Sequence, residues 1–536
     1  KLVMVGGTYH SGNKVLSSDF PSGAAQMVGG VEEGTGWVNK GDNNVVAAGK
    51  SYSSQEALSV LRISDDYGSA PEILTSNGHN PNESSSRSRR SDLETHPIYY
   101  DRVLFGKDNS IYFSNDFGIN SLILYSFGND PENLITDVKI SSINPDIIFA
   151  VQGLFSSGNK ALLHKSIDGG QTWNSIAVPD DTRPLNIDLN INDRLFVSSY
   201  NDNVYYSDNL GGSFTKLYDM NAQNYWPMEI TAVDGTNKVL VLDEGYQTMY
   251  PYNKIFLMEE NSMADITGNS LPGYVQIRDF EVFYATNKIY VSGNAGVWGS
   301  ASKITPDQTF LFPLVQKYSY VSDQEIKLST YTNIEKDDID YYEWIVDGNS
   351  FTSTNYITTI NSTSTSTLNI NFESGQNTKL IDLQLKIHLT NGTIQTSALK
   401  EDAISVEKKI IINLFENSTN INFGVDGGGV YLSTLTLTGC EPIPLLTDAE
   451  RNILIAQDFR TQTIALTHES FFYDGNTTGS SNIDIIKKFI NNNSAKIIVA
   501  TVNMFYGDSF LFTQLENSGM QIEKFTTSTK NDPSWL

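Results

Sequence analysis

Ser166-Ile-Asp-Gly-Gly-Gln-Thr-Trp173 is the stretch on which the fold of this chain turns. Its pattern, Ser/Thr-x-Asp-x-Gly-x-Thr-Trp/Phe, has the chemistry of a hairpin turn. Asp168 is placed to accept from backbone N–H groups two residues on, Gly170 to take a positive φ, and Thr172 to close the turn through its hydroxyl. Trp173 then opens the next strand as an apolar wedge of the size that fills the gap between two stacked sheets. The grammar recurs, each time after a strand-like run. Ser207-Asp-Asn-Leu-Gly-Gly-Ser-Phe214 has Asn209 in the Asp place, Gly211 in the Gly place and Phe214 in the Trp place. Ser114-Asn-Asp-Phe-Gly118 supplies Asp116 and Gly118, and Ser64-Asp-Asp-Tyr-Gly68 supplies Asp66 and Gly68, both without the closing aromatic. The first residues of the four copies lie 50, 52 and 41 positions apart, which suits one four-stranded blade per repeat.

These turns resemble the Asp boxes (BNR repeats) of sialidase-like and sortilin-like β-propellers. A second resemblance closes the repeat region: Ile277-Arg-Asp-Phe-Glu281 leading to Gly296-Val-Trp298 is similar to the last blade of Asp-box propellers in secreted proteins of the Bacteroidetes. The expectation is a mainly β chain whose residues 1–312 form a propeller of seven blades, with six or eight also compatible. In that family the boxes lie on the rim away from the central pocket, so the resemblance implies a structural role for all four.

From about Pro313 the pattern changes to apolar and polar residues in strict alternation, as in Tyr341-Tyr-Glu-Trp-Ile-Val346 and Leu383-Gln-Leu-Lys-Ile-His-Leu389. That is the pattern of a two-sheet sandwich. Trp344 ahead of Asp347-Gly-Asn349 resembles a polycystic-kidney-disease (PKD) type, immunoglobulin-like module, expected over 313–408. Residues 409–536 alternate strand and helix signals, the mark of a small α/β domain with a parallel sheet.

Composition narrows the function. The chain has 536 residues, 36 basic against 62 acidic, and a formal charge of −26. A surface so poor in Lys and Arg argues against nucleic acid as a partner. The acidity is compatible with a structural Ca²⁺, yet there is no EF-hand loop or Gly-rich nonapeptide array, and no cofactor is expected. Cys440 is the single cysteine, so no disulfide forms within the chain and no Cys-based metal cluster is expected. No apolar run is long enough for a membrane-spanning helix. The Asn, Ser, Thr, Asp and Tyr richness fits a secreted or cell-surface bacterial protein.

Chemistry is harder to find. A sialidase needs an arginine cluster converging on a carboxylate, and the arginines near strands, Arg62, Arg102, Arg194 and Arg278, lack the family's usual context. His468-Glu469-Ser470, directly after a strand-like run, is the best catalytic candidate, although no nucleophile-elbow motif accompanies it. Tyr225, Trp226, Tyr246, Tyr250 and Tyr252 lie between strand-like runs and are candidate platforms for a sugar or a protein. The reading is therefore a non-catalytic extracellular or cell-surface protein, an adhesin or a component of a larger surface or filament assembly or homo-oligomer. Its propeller recognises a glycan or protein and its PKD-like module is a spacer. The alternative is a secreted glycoside hydrolase with two carboxylates in the propeller cleft. A sorting receptor of the sortilin kind is disfavoured because the cysteine-rich module is missing.

Overall fold

The computed structural model describes residues 1–8, 12–29, 36–49, 58–74, 91–128, 134–153, 161–179, 184–199, 203–220, 227–243, 254–267, 277–293, 296–321, 324–361 and 378–407. It also describes short strands at 410–413, 422–423, 430–431, 436–438, 497–502 and 524–525. Contacts divide the described residues into two units. One comprises Lys1–Tyr318, Lys327–Thr359 and Asp382–Ala403, the other Ser319–Ile326, Ile360–Ile381 and Ile404–Leu536.

The first unit is mainly β, and its sheets are antiparallel meanders that follow one another along the chain. Seven are present among the described residues up to Lys303. The first and last have three strands, Val3–Thr8 to Gln26–Gly29 and Ile277–Phe283 to Gly296–Lys303; the five between have four. The inner strands, first in each meander of the third to seventh sheets, are Glu94–Thr95, Ile135–Ile140, Pro184–Leu189, Pro227–Ala232 and Ile277–Phe283.

Second strands such as Ile148–Gln152 and Leu195–Ser199 are buried at every residue, because each sheet packs against a neighbour on both faces. Ile148 and Ala150 join Leu104 and Ile111 of the preceding sheet, whereas Phe149 and Val151 join Ile187, Leu195 and Val197 of the following one. A strand covered on both faces reads as a continuous apolar run. Similar seams join every consecutive pair of sheets from first to seventh. At the seam between the third and fourth sheets the backbones come so close that a Cβ on Gly106 would stand 2.2 Å from Ile135 Cγ2. This serial face-to-face packing of four-stranded sheets is the β-propeller arrangement.

Later in the same unit, Leu311–Val315 pairs antiparallel with residues 328–332. Ile339–Val346 lies between Asn349–Ser353 and residues 383–389, with Trp344 fully buried. Asp347 and Gly348, at φ 48° and 76°, make the hairpin turn that two successive left-handed residues allow.

In the second unit Ser319–Val321 runs parallel to residues 405–407. Ile410–Asn413 is parallel to residues 497–500 and antiparallel to Thr436–Thr438.

Candidate functional site

The turns that open at Ser64, Ser114, Ser166 and Ser207 lie where the third strand of each sheet ends, which is also the end at which the inner strand finishes. In three of them two successive residues are left-handed: Phe117 and Gly118, Gly169 and Gly170, Leu210 and Gly211. The glycine N–H donates to the opening serine hydroxyl, Gly118 to Ser114 and Gly170 to Ser166 at 2.8 Å, Gly211 to Ser207 at 2.9 Å. The expected bond from a backbone N–H two residues on to Asp168 is not the one formed. The chain curls far enough that Asp168 accepts from Thr172, four residues on, through its backbone N–H at 2.9 Å and its hydroxyl at 2.6 Å. These bonds hold the Asp168 carboxyl down at about 2. Asn209 likewise accepts from Ser213 N–H at 2.8 Å, but its amide nitrogen donates to the Ser213 hydroxyl at 2.9 Å. In the earliest copy Gly68 N–H turns instead to Asp66. Trp173 precedes its strand, donates its indole N–H to Gly170 O at 2.9 Å, and packs against Phe127 of the preceding sheet. Phe214 packs into the seam between the fourth and fifth sheets. The side-chain oxygens of Ser114, Asp116, Ser166, Asp168, Ser207 and Asn209 are thus all engaged within their own turns.

The inner strands carry a different kind of chemistry. Their apolar residues, Val138, Ile187, Ile230 and Phe280, pack back onto the preceding sheet. The alternate residues, by the period of two, lean toward the open inner edge of the next sheet. In the fourth, sixth and seventh sheets the register shifts immediately before such a residue, Asp137, Glu229 and Asp279; bulges of this kind re-aim a side chain. Two residues further on stand Lys139, Thr231 and Glu281, with Asp188 and Glu94 in the corresponding places of the fifth and third sheets.

Five sheets therefore send carboxylates to one place. Lys139 Nζ lies 3.3 Å from Asp188 Oδ1 and 3.8 Å from Glu94 Oε2, with Asp137 and Asp92 also acting on it. Burial alone would lower the lysine, but these carboxylates win and hold it well above its ordinary value. Three of the acids also cap backbone donors across seams. Asp137 Oδ2 accepts from Ile187 N at 2.9 Å, Asp188 Oδ2 from Ala232 N at 2.7 Å, and Glu94 Oε1 from Ile140 N at 3.4 Å. An inner strand is a sheet edge whose donors have no strand beside them, and these bonds satisfy them.

Burial pushes Glu94 and Asp137 up to about 7, Asp279 to about 6 and Glu281 to about 8, with Asp92 adding to the last three and Lys139 opposing in all four. Glu229 rises well above the usual carboxylate range, through burial first and then through Asp279, Asp92 and Asp137. Solvent nevertheless reaches Asp279 and Glu281. Both side chains are exposed on one side, and the protein around them still makes ionisation costly.

At the ends of the inner strands three aromatic rings, Tyr284, Phe310 and Tyr331, pack together. Tyr331 donates its hydroxyl to Asp234 Oδ2 at 2.5 Å, Asp234 N donates to Tyr284 Oη at 2.6 Å, and Phe310 packs against both rings. Lys40 Nζ sits 3.6 Å from the Tyr331 ring centroid; burial lowers this lysine, against the pull of Asp234, Glu94 and Glu281.

Of the arginines, Arg194 is held by Asp208 and Glu260, Arg62 by Asp42, and Arg102 lies over Phe113. Each is engaged at a different sheet. Among the described residues no group of three or more His, Cys, Asp or Glu is placed to hold a metal. His468, Glu469 and Ser470, and the platform candidates Tyr225, Trp226, Tyr246, Tyr250 and Tyr252, lie outside the described residues. The convergent acids were not singled out from the sequence. The signal that was available is an acidic residue at alternate places in the first strand of successive repeats.

No family model matches the chain and no curated protein matches its sequence. Among solved structures the chain is similar to β-propeller proteins. The GH74 enzyme of Niastella koreensis is 10% identical at a TM-score of 0.33, over 75% of this chain and 81% of that one. The GH74 xyloglucanase of Xanthomonas campestris is 10% identical at 0.30, over 82% and 73%. YCF48 of Cyanidioschyzon merolae is 11% identical at 0.32, over 58% and 95%. At such TM-scores nothing about the site of this chain follows from theirs, and its fold rests on the order and packing of its own sheets.

Proposed function

We propose that this is a non-catalytic extracellular or cell-surface recognition protein, an adhesin or a component of a surface assembly. In this reading residues 1–312 close into a seven-bladed Asp-box propeller that binds a glycan or protein ligand at its acidic cavity. Residues 313–408 form a PKD-like spacer and 409–536 a small α/β domain. The observation that carries the reading is the convergence of carboxyl groups from five sheets around Lys139. Carboxyls poised between about 6 and 8 both donate and accept hydrogen bonds near neutrality, which suits a polyhydroxylated ligand. Glu94, Asp137 and Asp188 are already committed to backbone donors across the seams, which favours binding over turnover.

One observation favours the hydrolase alternative: Glu229, Asp279 and Glu281 form an acidic arc in which a carboxyl that stays protonated adjoins others, the pairing that general acid catalysis of glycoside cleavage requires. A glycan array and hydrolysis assays on neutral β-glucans separate the two. Binding without turnover, weakened at least about tenfold by Glu281→Ala, a loss of about 1.4 kcal/mol, is the expected result. Turnover at ordinary enzyme rates, lost in Glu229→Gln, would replace the adhesin reading with the hydrolase.

A further inference from the structure

The chain that follows the seventh sheet runs across the turns in which the inner strands end. Asp307 and Gln308 donate their N–H groups to Gly235 O of the sixth sheet at 2.9 and 3.0 Å. Asn333 accepts Phe310 N–H on Oδ1 at 3.0 Å and donates its amide to Gln308 O at 2.8 Å, while its own carbonyl accepts from Asn287 Nδ2 of the seventh sheet at 3.1 Å. From here Leu311–Val315 and residues 328–332 form an antiparallel ribbon, and its far end is bonded to the third sheet. Val315 N donates to Ile98 O at 2.8 Å, Tyr100 N to Val315 O at 3.0 Å and Asp101 N to Gln316 O at 3.1 Å, and Gln316 Nε2 donates to Asp101 Oδ2 at 2.8 Å. Midway along the ribbon, Tyr331 donates to Asp234 of the sixth sheet. On its ring lies Lys40, which follows the inner strand Gly36–Val38 of the second sheet.

Packed sheets stand about 10 Å apart, so in a straight row the four seams from the second sheet to the sixth would separate them by about 40 Å. Here a single tyrosine ring lies between Lys40 and Asp234. A five-residue strand reaches about 16 Å, yet the ribbon is bonded to the sixth and seventh sheets at one end and to the third at the other. The row of sheets is therefore bent round on itself. We propose that the ribbon is the tie that keeps it so, joining the early sheets to the late ones across the ends of the inner strands. Each seam along the chain holds only two neighbours, such as the third and fourth sheets or the fourth and fifth; the ribbon reaches past the fourth and fifth sheets altogether. On this reading the propeller does not end at residue 312 but takes in the chain as far as Lys336, whose N–H donates to Ala285 O of the seventh sheet at 3.2 Å. With the tie cut at either end, the first and seventh sheets, which stand at the ends of the row, part more readily than the middle.

The test is amide hydrogen exchange of the whole chain as wild type, Gln316→Ala and Asn333→Ala, which weaken the tie at opposite ends. Exchange of Gly12–Ser17 in the first sheet and of Lys288–Gly293 in the seventh is expected to quicken about tenfold in both variants. That of Ile148–Gln152 in the fourth sheet, the middle of the row, should change less. Quickening confined to residues 307–336 and the turns they touch, at 98–101, 234–236 and 285–287, would overturn the tie; so would an equal rise in every sheet, which is a loss of global stability and nothing more. If one variant does not fold, the other decides, because each substitution alone weakens the tie. The outcome does not depend on what the acidic site binds.

Discussion

Gly106 and Asp168 show how much a single position carries. Gly106 has no side chain because Ile135 Cγ2, Cβ and backbone oxygen of the next sheet fill the space where one would be. The stiff β-branched Ile135 is fully buried and cannot turn away. Gly106→Ala is therefore expected to destabilise the protein by on the order of 1–3 kcal/mol, read as a lower urea midpoint with an unchanged slope. Asp168 acts through geometry of another kind, holding Thr172 so that Gly169 and Gly170 keep their left-handed backbone. Its bonds stabilise the ionised form, so its share of stability exists above the unfolded carboxyl range and is lost as pH falls toward about 2. Asp168→Asn should lower Tm at pH 7 more than at pH 2.5.

At the scale of the element, the inner strand sets the character of the site. One of its faces is apolar and packs backward; the other is polar and reaches forward to the bare edge of the next strand. Asp137→Ala removes the acceptor for Ile187 N–H and leaves a buried donor unsatisfied, at a cost of about 1–3 kcal/mol. Amide exchange at Ile187 should quicken accordingly, while that of Phe149 in the adjacent second strand changes less. Lys139→Met takes the cation from between Asp188 and Glu94. With both partners partly reached by water, the loss is expected toward the low end of about 3–5 kcal/mol. It should be smaller at pH 5, where Glu94 and Asp137 bind protons, than at pH 8, as two thermal melts would show.

Across the whole molecule these groups add. Glu94, Asp137, Glu229, Asp279 and Glu281 all have folded values raised by burial. The folded state therefore binds more protons than the unfolded one between about pH 4.5 and pH 8, and stability falls as pH rises through that window. The Tm of the wild type should be higher at pH 5 than at pH 8.5, and added salt should recover more of it at the higher pH, where like charges face each other.

How far the sequence reached follows from the range of each signal. Alternating and continuous apolar runs, such as Ile148–Gln152 and Tyr341–Val346, announce a chain that is mainly β, because strand periodicity and burial are local properties. Ser166 to Trp173 announces its turn for the same reason: the bonds that shape it close within four residues. The inner strand at Glu94–Thr95 was hidden, because two residues are too few to show an alternation. The acidic cluster was equally illegible. Asp92, Glu94, Asp137, Asp188, Glu229, Asp279 and Glu281 are seven among 62 acidic residues, spread over nearly two hundred positions and each unremarked where it stands. Only the packing of one sheet on the next brings them around Lys139, and only there do burial and mutual repulsion change what their carboxyl groups do. Local backbone chemistry was thus written in the residues themselves, whereas the electrostatics of the site depend on distances between strands and came into being with the tertiary structure.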